Sequence, residues 1–178
     1  MARVLVVYYS RTSTTRTLAK RLASLLGADL EEIVDATDRR GLRGWLRSGY
    51  EAGRRLLAPI ASTRPIDDYD MVVVGSPVWM MSLSSPVRAF LRRNRGKIHN
   101  LACFCTRGGE GPHTVCAQMA DAAWREPIAE LTVRQADLHS ARSSRAIDEF
   151  VARIERALPV PPPVVVPRTD DAAARSHN

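Results

Sequence analysis

Cysteine, lysine, aromatic residues and long apolar runs are all scarce in this sequence of 178 residues. Its three cysteines, Cys103, Cys105 and Cys116, are too few for the disulfide framework of a small secreted protein and match no zinc-ligand spacing. The apolar run near the N-terminus, Val4 to Tyr9, has six residues. A membrane span needs about 20 apolar residues, and the hydrophobic region of a signal peptide needs about 7–15. We therefore expect a cytoplasmic protein without a membrane span, whose thiols are free and buried.

Lysine contributes only 2 of the 26 basic residues, so the net charge of +7 comes almost entirely from arginine. Residues 1–98 carry 17 basic and 9 acidic groups, and residues 99–178 carry 9 and 10. Such asymmetry is found in proteins with anionic partners, yet no nucleic-acid-binding motif accompanies it. We attribute the excess to an arginine-rich composition and predict no nucleic-acid binding.

The segment from Arg39 to Arg55 concentrates this charge, with six arginines and four glycines. Interior glycines cost a helix up to about 1 kcal/mol each, which makes this an odd mixture for a plain helix. We interpret the segment as a helix that lies close to a sheet. The alternative is a basic surface that receives an acidic redox partner or an anionic substrate.

Short apolar, β-branched runs alternate with helical patterns along the first 157 residues. The five runs that we interpret as buried strands are Val4–Tyr9, Leu30–Val34, Met71–Val74, Leu101–Cys105 and Ile128–Val133. Apolar residues at helical spacing follow each run. Alternation of this kind is typical of α/β proteins, and it predicts a parallel sheet covered by helices on both faces.

Glycine, proline and serine mark the expected ends of the helices. We expect Gly27 to end the first helix, and Pro86 to begin the third with Ser84 or Ser85 as its cap. A second helix is predicted over residues 42–57, where leucines and aromatic residues recur at helical spacing.

The alternating pattern ends at Leu158. Residues 159–167 contain five of the eleven prolines and favour an extended polyproline II conformation, and no large apolar side chain follows them. We therefore expect one α/β domain over residues 1–158, followed by a Pro-rich, disordered tail over residues 159–178.

The loop after the first strand is rich in hydroxyl groups and runs directly into a helix. Its residues are Ser10, Arg11, Thr12, Ser13, Thr14 and Thr15. In open α/β sheets, ligands bind beyond the carboxyl ends of the strands. Hydroxyl groups, backbone N–H groups and a helix N-terminus together favour a phosphate group there. The alternative is an ordinary capped turn.

Other kinds of phosphate site are excluded by residue type. There is no G-x-G-x-x-G after the first strand and no G-x-x-x-x-G-K-[ST] anywhere in the chain. Ser10 and Arg16 have the spacing of a tyrosine-phosphatase loop, but serine lacks the acidic thiol that such a nucleophile needs.

The next two loops at the same edge of the sheet carry different chemistry. The loop after the third strand contains Gly75, Ser76, Pro77, Val78, Trp79 and Met80. Its tryptophan offers a flat surface on which an aromatic ring can stack, with a core tryptophan as the alternative. The loop after the fourth strand contains Thr106, Arg107, Gly108 and Gly109. Its glycines let backbone amides approach a ligand, with a glycine-rich turn as the alternative.

Together these three loops resemble those of the flavodoxin family, over about residues 1–157. Ser10 to Thr15 is similar to the family's T/S-x-T-G-x-T loop, which binds the FMN phosphate, and Gly75 to Trp79 is similar to the loop whose aromatic residue stacks on the flavin. The resemblance implies a doubly wound, five-stranded parallel sheet of order 2-1-3-4-5 with helices on both faces. It also implies FMN as the cofactor, held by the three loops, and electron transfer through the bound flavin.

The sequence departs from the family's pattern in three ways. Ser13 stands where the family usually has glycine, the third loop lacks the tyrosine that covers the other flavin face, and the chain is basic where electron carriers of the family are acidic. FMN binding remains the expectation. The departures make an NAD(P)H-dependent FMN or quinone oxidoreductase a rival to an electron carrier that serves a redox partner protein. A cofactor-free binding module of the same fold is a further alternative.

Overall fold

The part of the chain that the structure describes forms one central sheet. Its strands are β1 (Val4–Tyr8), β2 (Asp29–Glu32), β3 (Met71–Trp79), β4 (Ser82–Leu83), β5 (Leu101–Arg107) and β6 (Pro127–Arg134). Five of these strands are parallel and lie in the spatial order β2-β1-β3-β5-β6. The short β4 pairs only with the end of β3, and this pairing is antiparallel. Counted without β4, the order is 2-1-3-4-5, so the predicted sheet is confirmed and β4 is an addition to it.

Helices cover both faces of this sheet, as the alternating pattern predicts. They are α1 (Ser13–Leu26), α2 (Ser85–Arg93), α3 (Thr114–Ala123) and α4 (Ala141–Ala157). Leu22 of α1 and Phe150 of α4 pack in the core on one face. Phe90 of α2 and Met119 of α3 pack in the core on the other face.

The structure is a computed structural model that describes residues 2–34, 60, 64–79, 81–109 and 114–158, without the side chain of Trp79. The predicted second helix and the basic segment from Arg39 to Arg55 lie outside the described residues, as does the Pro-rich tail. Met80, Glu110 and His113 lie outside them too. In the part of the chain that is described, no helix combines the length and the apolar character that crossing a membrane requires.

The all-apolar sequence of β1 is explained by burial on both sides of the sheet. Leu5 and Val7 belong to the core beneath α2 and α3, whereas Val4 and Val6 belong to the core beneath α1 and α4. Side chains alternate between the two faces of a strand, so a central strand covered on both faces has no position for a polar residue. This burial fixes the position of β1, and the carboxyl end of β1 leads into the hydroxyl-rich loop.

The third strand is longer than its sequence predicts. We expected it to end at Gly75-Ser76-Pro77, but β3 continues to Trp79 and pairs with β5 as far as Pro77. The carbonyl of Gly75 accepts a hydrogen bond from the backbone N–H of Tyr9 (3.1 Å). Backbone groups alternate sides along a strand, so Pro77 also faces that side, beyond the last residue of β1. Its missing N–H therefore removes no hydrogen bond from the sheet.

Helix ends agree with the sequence at α1 and differ at α2. Gly27 follows α1 with φ of +57° and ψ of +34°, the left-handed conformation that glycine adopts without strain. Pro86, which we predicted as the first residue of this helix, is its second residue, whereas Ser84, one of the two serines predicted to cap it, occupies the cap position. Ser85 is the first helical residue, and Ser84 caps by position without a side-chain hydrogen bond to the helix. Its hydroxyl instead lies 2.9 Å from that of Ser76.

The expectation of free, buried thiols is confirmed. All three cysteines are free and buried, and the sulfur atoms of Cys105 and Cys116 lie 3.5 Å apart in the core. The hydrogen bond with Cys116 and the burial of the side chain raise the pKa of Cys105 well above its ordinary value. Burial likewise raises the pKa of Cys103. Both groups are therefore neutral thiols at pH 7 rather than reactive thiolates.

Candidate cofactor-binding site

The ends of β1, β3 and β5 meet at the carboxyl edge of the sheet and bring the three predicted loops together. Tyr8 lies opposite Gly75, and Pro77 lies opposite Thr106. A cleft of about 160 Å³ opens at this edge. The residues that line it are Thr12, Thr14, Pro77, Val78, Thr106, Arg107, Gly108 and Gln135. Each of the three predicted loops contributes residues to the lining of this cleft.

The first loop presents the start of α1 to the cleft. Ser10 closes the loop on itself, because its hydroxyl donates to the carbonyl of Thr12 and accepts from the backbone N–H of Arg16 (3.3 Å). Thr12 is the N-terminal cap residue, with φ of −110° and ψ of 168°, but its side chain makes no capping hydrogen bond. The first N–H groups of a helix have no partner within the helix. Here the N–H of Arg16 is bonded to Ser10, and the start of the helix lies where Thr12 and Thr14 line the cleft.

The hydroxyls of this loop divide into two groups. Thr12 and Thr14 line the cleft, and no hydrogen bond engages either side chain within the described part of the chain. Ser10 is held inside its own loop, and Thr15 is buried with its hydroxyl 2.6 Å from that of Thr106. This buried pair joins the first loop to the third, so it holds two walls of the cleft in register.

The structure explains how the loop accommodates Ser13, the residue that stands where the family usually has glycine. It is the first residue of α1, and among the described residues other than glycine only Met81 and Trp124 have a positive φ. The loop therefore takes its turn without a left-handed residue at position 13. Since no glycine is needed there, serine keeps the helix start intact and adds an exposed hydroxyl beside the cleft.

Arg16, in the first turn of α1, is paired with a carboxylate of the protein rather than directed at the hydroxyl-rich loop. Its guanidinium donates to a carboxylate oxygen of Glu32 (2.7 Å), and the hydroxyl of Tyr8 donates to the other oxygen (3.1 Å). The hydrogen bond with Glu32 is the main cause of the raised pKa of Arg16. Burial is the main cause of the raised pKa of Tyr8. This pairing ties the start of α1 to β2 and compensates the charge of Arg16.

The second loop forms the opposite wall of the cleft through Pro77 and Val78, which are half-buried. Ser76 is fully buried; its hydroxyl donates to the carbonyl of Pro77 (2.9 Å) and contacts that of Ser84. The side chain of Trp79 and all of Met80 lie outside what the structure describes. Stacking of Trp79 on an aromatic ligand therefore stays a prediction.

The third loop contributes Thr106, Arg107 and Gly108 to the cleft, whereas Gly109 is not among its lining residues. A side chain built on Gly108 or Gly109 would meet no atom within 4 Å. Packing within the described residues thus does not explain why a glycine stands at either position. Open backbone next to the cleft is what a ligand held by amide groups needs.

Gln135 is a cleft residue that the sequence did not indicate. It begins the short 3₁₀ turn Gln135–Asp137 directly after β6, at the same edge of the sheet as the three loops. We considered only the loops after the first, third and fourth predicted strands, because the reversal of strand order lies there. A loop at the carboxyl end of the last strand is the signal that could have identified Gln135.

The residues that line the cleft offer several groups that can bind a ligand. Within the described chain, no group of three or more His, Cys, Asp or Glu residues is arranged to hold a metal ion. The cleft is lined by the threonines of two loops, by Pro77 and Val78, by the start of α1 and by Arg107. Such a set can hold an anionic group at one end and a flat apolar group beside it.

Comparison with solved structures identifies the fold. A flavoprotein from Lactobacillus acidophilus NCFM, crystallised in complex with FMN, is 16% identical with a TM-score of 0.68, over 84% of this chain and 99% of that one. A candidate flavoprotein from Bacteroides eggerthii DSM 20697 is 22% identical with a TM-score of 0.68, over 87% and 99%. Oxidised flavodoxin 1 from Bacillus cereus is 13% identical with a TM-score of 0.56, over 87% and 98%.

The family itself is shown by the sequence match. The model of the family described as flavodoxin matches residues 3–151, a range that begins one residue before β1 and ends in α4. It includes all three loops of the cleft and every strand of the sheet. Because this match covers most of the 178 residues, the chain belongs to the flavodoxin family.

Proposed function

We propose that this protein binds FMN in the cleft and transfers electrons through it. The observation that carries the proposal is the meeting, in one cleft, of an uncapped helix start with two unengaged hydroxyls and a half-buried apolar wall. Membership of the flavodoxin family supports FMN as the cofactor, and a structural neighbour was crystallised with it. When bound, the flavin supplies the centre that accepts and donates electrons.

The residues of the three loops have separate roles in this proposal. The N–H groups at the start of α1, with the hydroxyls of Thr12 and Thr14, hold the phosphate by charge-assisted hydrogen bonds. Pro77, Val78 and Trp79 hold the flavin ring. The remaining residues assigned to the site are Ser10, Arg11, Ser13, Thr15, Ser76, Met80, Thr106, Arg107, Gly108 and Gly109. Of these, Ser10, Thr15 and Ser76 act by fixing the loops, because their hydroxyls are engaged within the protein.

Removing the two unengaged hydroxyls tests the phosphate assignment. We expect Thr12→Ala with Thr14→Ala to weaken FMN binding by about 1–3 kcal/mol, because hydrogen bonds to a charged group are lost. Riboflavin has the same ring without the phosphate, so its affinity should change little. The measurement is a fluorescence titration of the protein without flavin, using each ligand in turn.

A matched control uses a third threonine of the same helix. The hydroxyl of Thr17 donates to the carbonyl of Ser13 (2.9 Å) and lies outside the residues that line the cleft, so Thr17→Ala should leave both affinities unchanged. Equal FMN affinity in the wild type and the double variant would contradict the phosphate assignment. So would an equal loss for FMN and riboflavin.

The source of the electrons that reduce the flavin distinguishes an electron carrier from the rival NAD(P)H-dependent oxidoreductase. The observation that favours the rival is the third loop, which lines the cleft through Thr106, Arg107 and Gly108 and has no tyrosine to cover the other flavin face. For a carrier, we expect NADPH or NADH alone to leave the flavin absorbance unchanged over many minutes without oxygen. Adding an NAD(P)H-dependent flavoprotein reductase should bleach it quickly. Rapid bleaching without that enzyme would establish the oxidoreductase instead.

A further inference from the structure

The chain turns back on itself between Val78 and Leu83, directly beside the cleft. Val78 pairs with Leu83 and Trp79 with Ser82, in antiparallel register. Met81 lies in the turn with φ of +59° and is 60% exposed. Two short strands form a weak hairpin on their own, and a left-handed conformation is strained in a residue other than glycine. This hairpin therefore needs support from another element.

Gln118 on α3 provides that support through both ends of its amide group. Its Oε1 accepts hydrogen bonds from the backbone N–H of Leu83 (3.0 Å) and from the hydroxyl of Ser82 (3.2 Å). Its Nε2 donates to the carbonyl of Met81 (3.3 Å). One side chain thus holds three consecutive residues of the hairpin.

Arg88 on α2 fixes the orientation of this amide. Arg88 is 2% exposed, and its guanidinium donates to Oε1 of Gln118 (3.2 Å) and to the carbonyl of Leu83 (3.5 Å). A guanidinium has only donors, so the amide must present its oxygen to Arg88 and its nitrogen to Met81. The arrangement joins two helices to the hairpin at a single point.

The hairpin in turn carries one wall of the cleft. Leu83, which Gln118 holds, is the direct partner of Val78. Val78 and the preceding Pro77 both line the cleft. A shift of Leu83 would therefore move the wall against which the ring of the cofactor is proposed to lie, while the start of α1 would keep its position.

We propose that Gln118 is a positioning residue for the flavin ring: by clamping residues 81–83 to α3, it sets the place of the cleft wall formed by Pro77 and Val78. This inference rests on the proposed function. It assigns Gln118 to ring binding and separates it from phosphate binding, which belongs to Thr12 and Thr14. The two roles have different signatures with FMN and riboflavin.

The test compares both ligands in the full chain. We expect Gln118→Ala to weaken the binding of FMN and of riboflavin by the same factor, about tenfold, so that the ratio of the two affinities stays at its wild-type value. Thr12→Ala with Thr14→Ala should change that ratio. Gln118→Glu should recover only part of the lost affinity, because a carboxylate still accepts from Leu83, Ser82 and Arg88 but cannot donate to the carbonyl of Met81.

Asp121→Asn, at an exposed position of the same helix, is the matched control and should bind both ligands like the wild type. Circular dichroism establishes that each variant is folded, and Gln118→Asn replaces the alanine variant if that variant is unfolded. Wild-type affinities in the folded variant, or a loss confined to FMN, would overturn this inference alone. A wild-type protein that binds neither flavin would overturn the proposed function, and this inference with it.

Discussion

Replacing Thr12 by aspartate is expected to weaken FMN binding at least about 100-fold and, at the same time, to stabilise the protein without FMN. Thr12 has the extended backbone of a helix cap but makes no capping hydrogen bond. An aspartate there accepts hydrogen bonds from N–H groups of the first helical turn, and its negative charge interacts favourably with the helix dipole. Together these two effects add about 0.5–1 kcal/mol to the free energy of unfolding. The same carboxylate then stands where the phosphate is proposed to bind. Two like charges about 4 Å apart near a protein surface repel by about 4 kcal/mol.

The two effects of Thr12→Asp have opposite signs and are measured separately. Thermal unfolding of the protein without flavin should shift upward by about 1–4 °C, and FMN titration should show the loss of affinity. Thr12→Asn is the matched control, since it caps a helix without a negative charge and should retain most of the affinity for FMN. If Thr12→Asp weakened FMN and riboflavin equally, the phosphate would not bind at the start of α1.

Replacing Gly75 by alanine is expected to lower the free energy of unfolding by about 3 kcal/mol. A Cβ atom built on Gly75 lies 2.0 Å from Cζ of Phe104 on the neighbouring strand. Phe104 is fully buried beneath α1 and α4, so its ring has no free space into which it can move. Overpacking of this kind costs about 1–3 kcal/mol and occasionally more. In a chain of this size the midpoint of thermal unfolding should fall by about 6–12 °C.

Two further variants show whether the ring is the cause. Gly75→Ala with Phe104→Leu should be more stable than the sum of the two single effects predicts, because the shorter side chain leaves room for the added methyl group. Gly109→Ala should change the free energy of unfolding by less than about 0.5 kcal/mol, since nothing lies within 4 Å of its Cβ position. Additive effects of Gly75→Ala and Phe104→Leu would contradict the proposed clash.

The sequence predicted the strands well and their ends less well. Val4 to Tyr9 is apolar throughout because β1 is covered on both faces, and this signal is local. At Gly75-Ser76-Pro77 the same reasoning ended β3 too early, because glycine and proline usually interrupt strands. Whether proline is tolerated depends on where the neighbouring strand ends. That neighbour, β1, lies more than sixty residues away along the chain.

The sequence by itself determined that this chain forms an α/β sheet with a hydroxyl-rich loop at the start of a helix, since apolar period, helix boundaries and loop composition are properties of adjacent residues. Only the tertiary structure decided which hydroxyls remain available to a ligand. Thr12, Thr14 and Thr15 are alike in sequence, but Thr15 is engaged by Thr106, 91 residues along the chain. Gln118 likewise reaches the hairpin only because α3 packs beside β4. A hydrogen bond across such a separation depends on how the helices lie on the sheet, which no local pattern encodes.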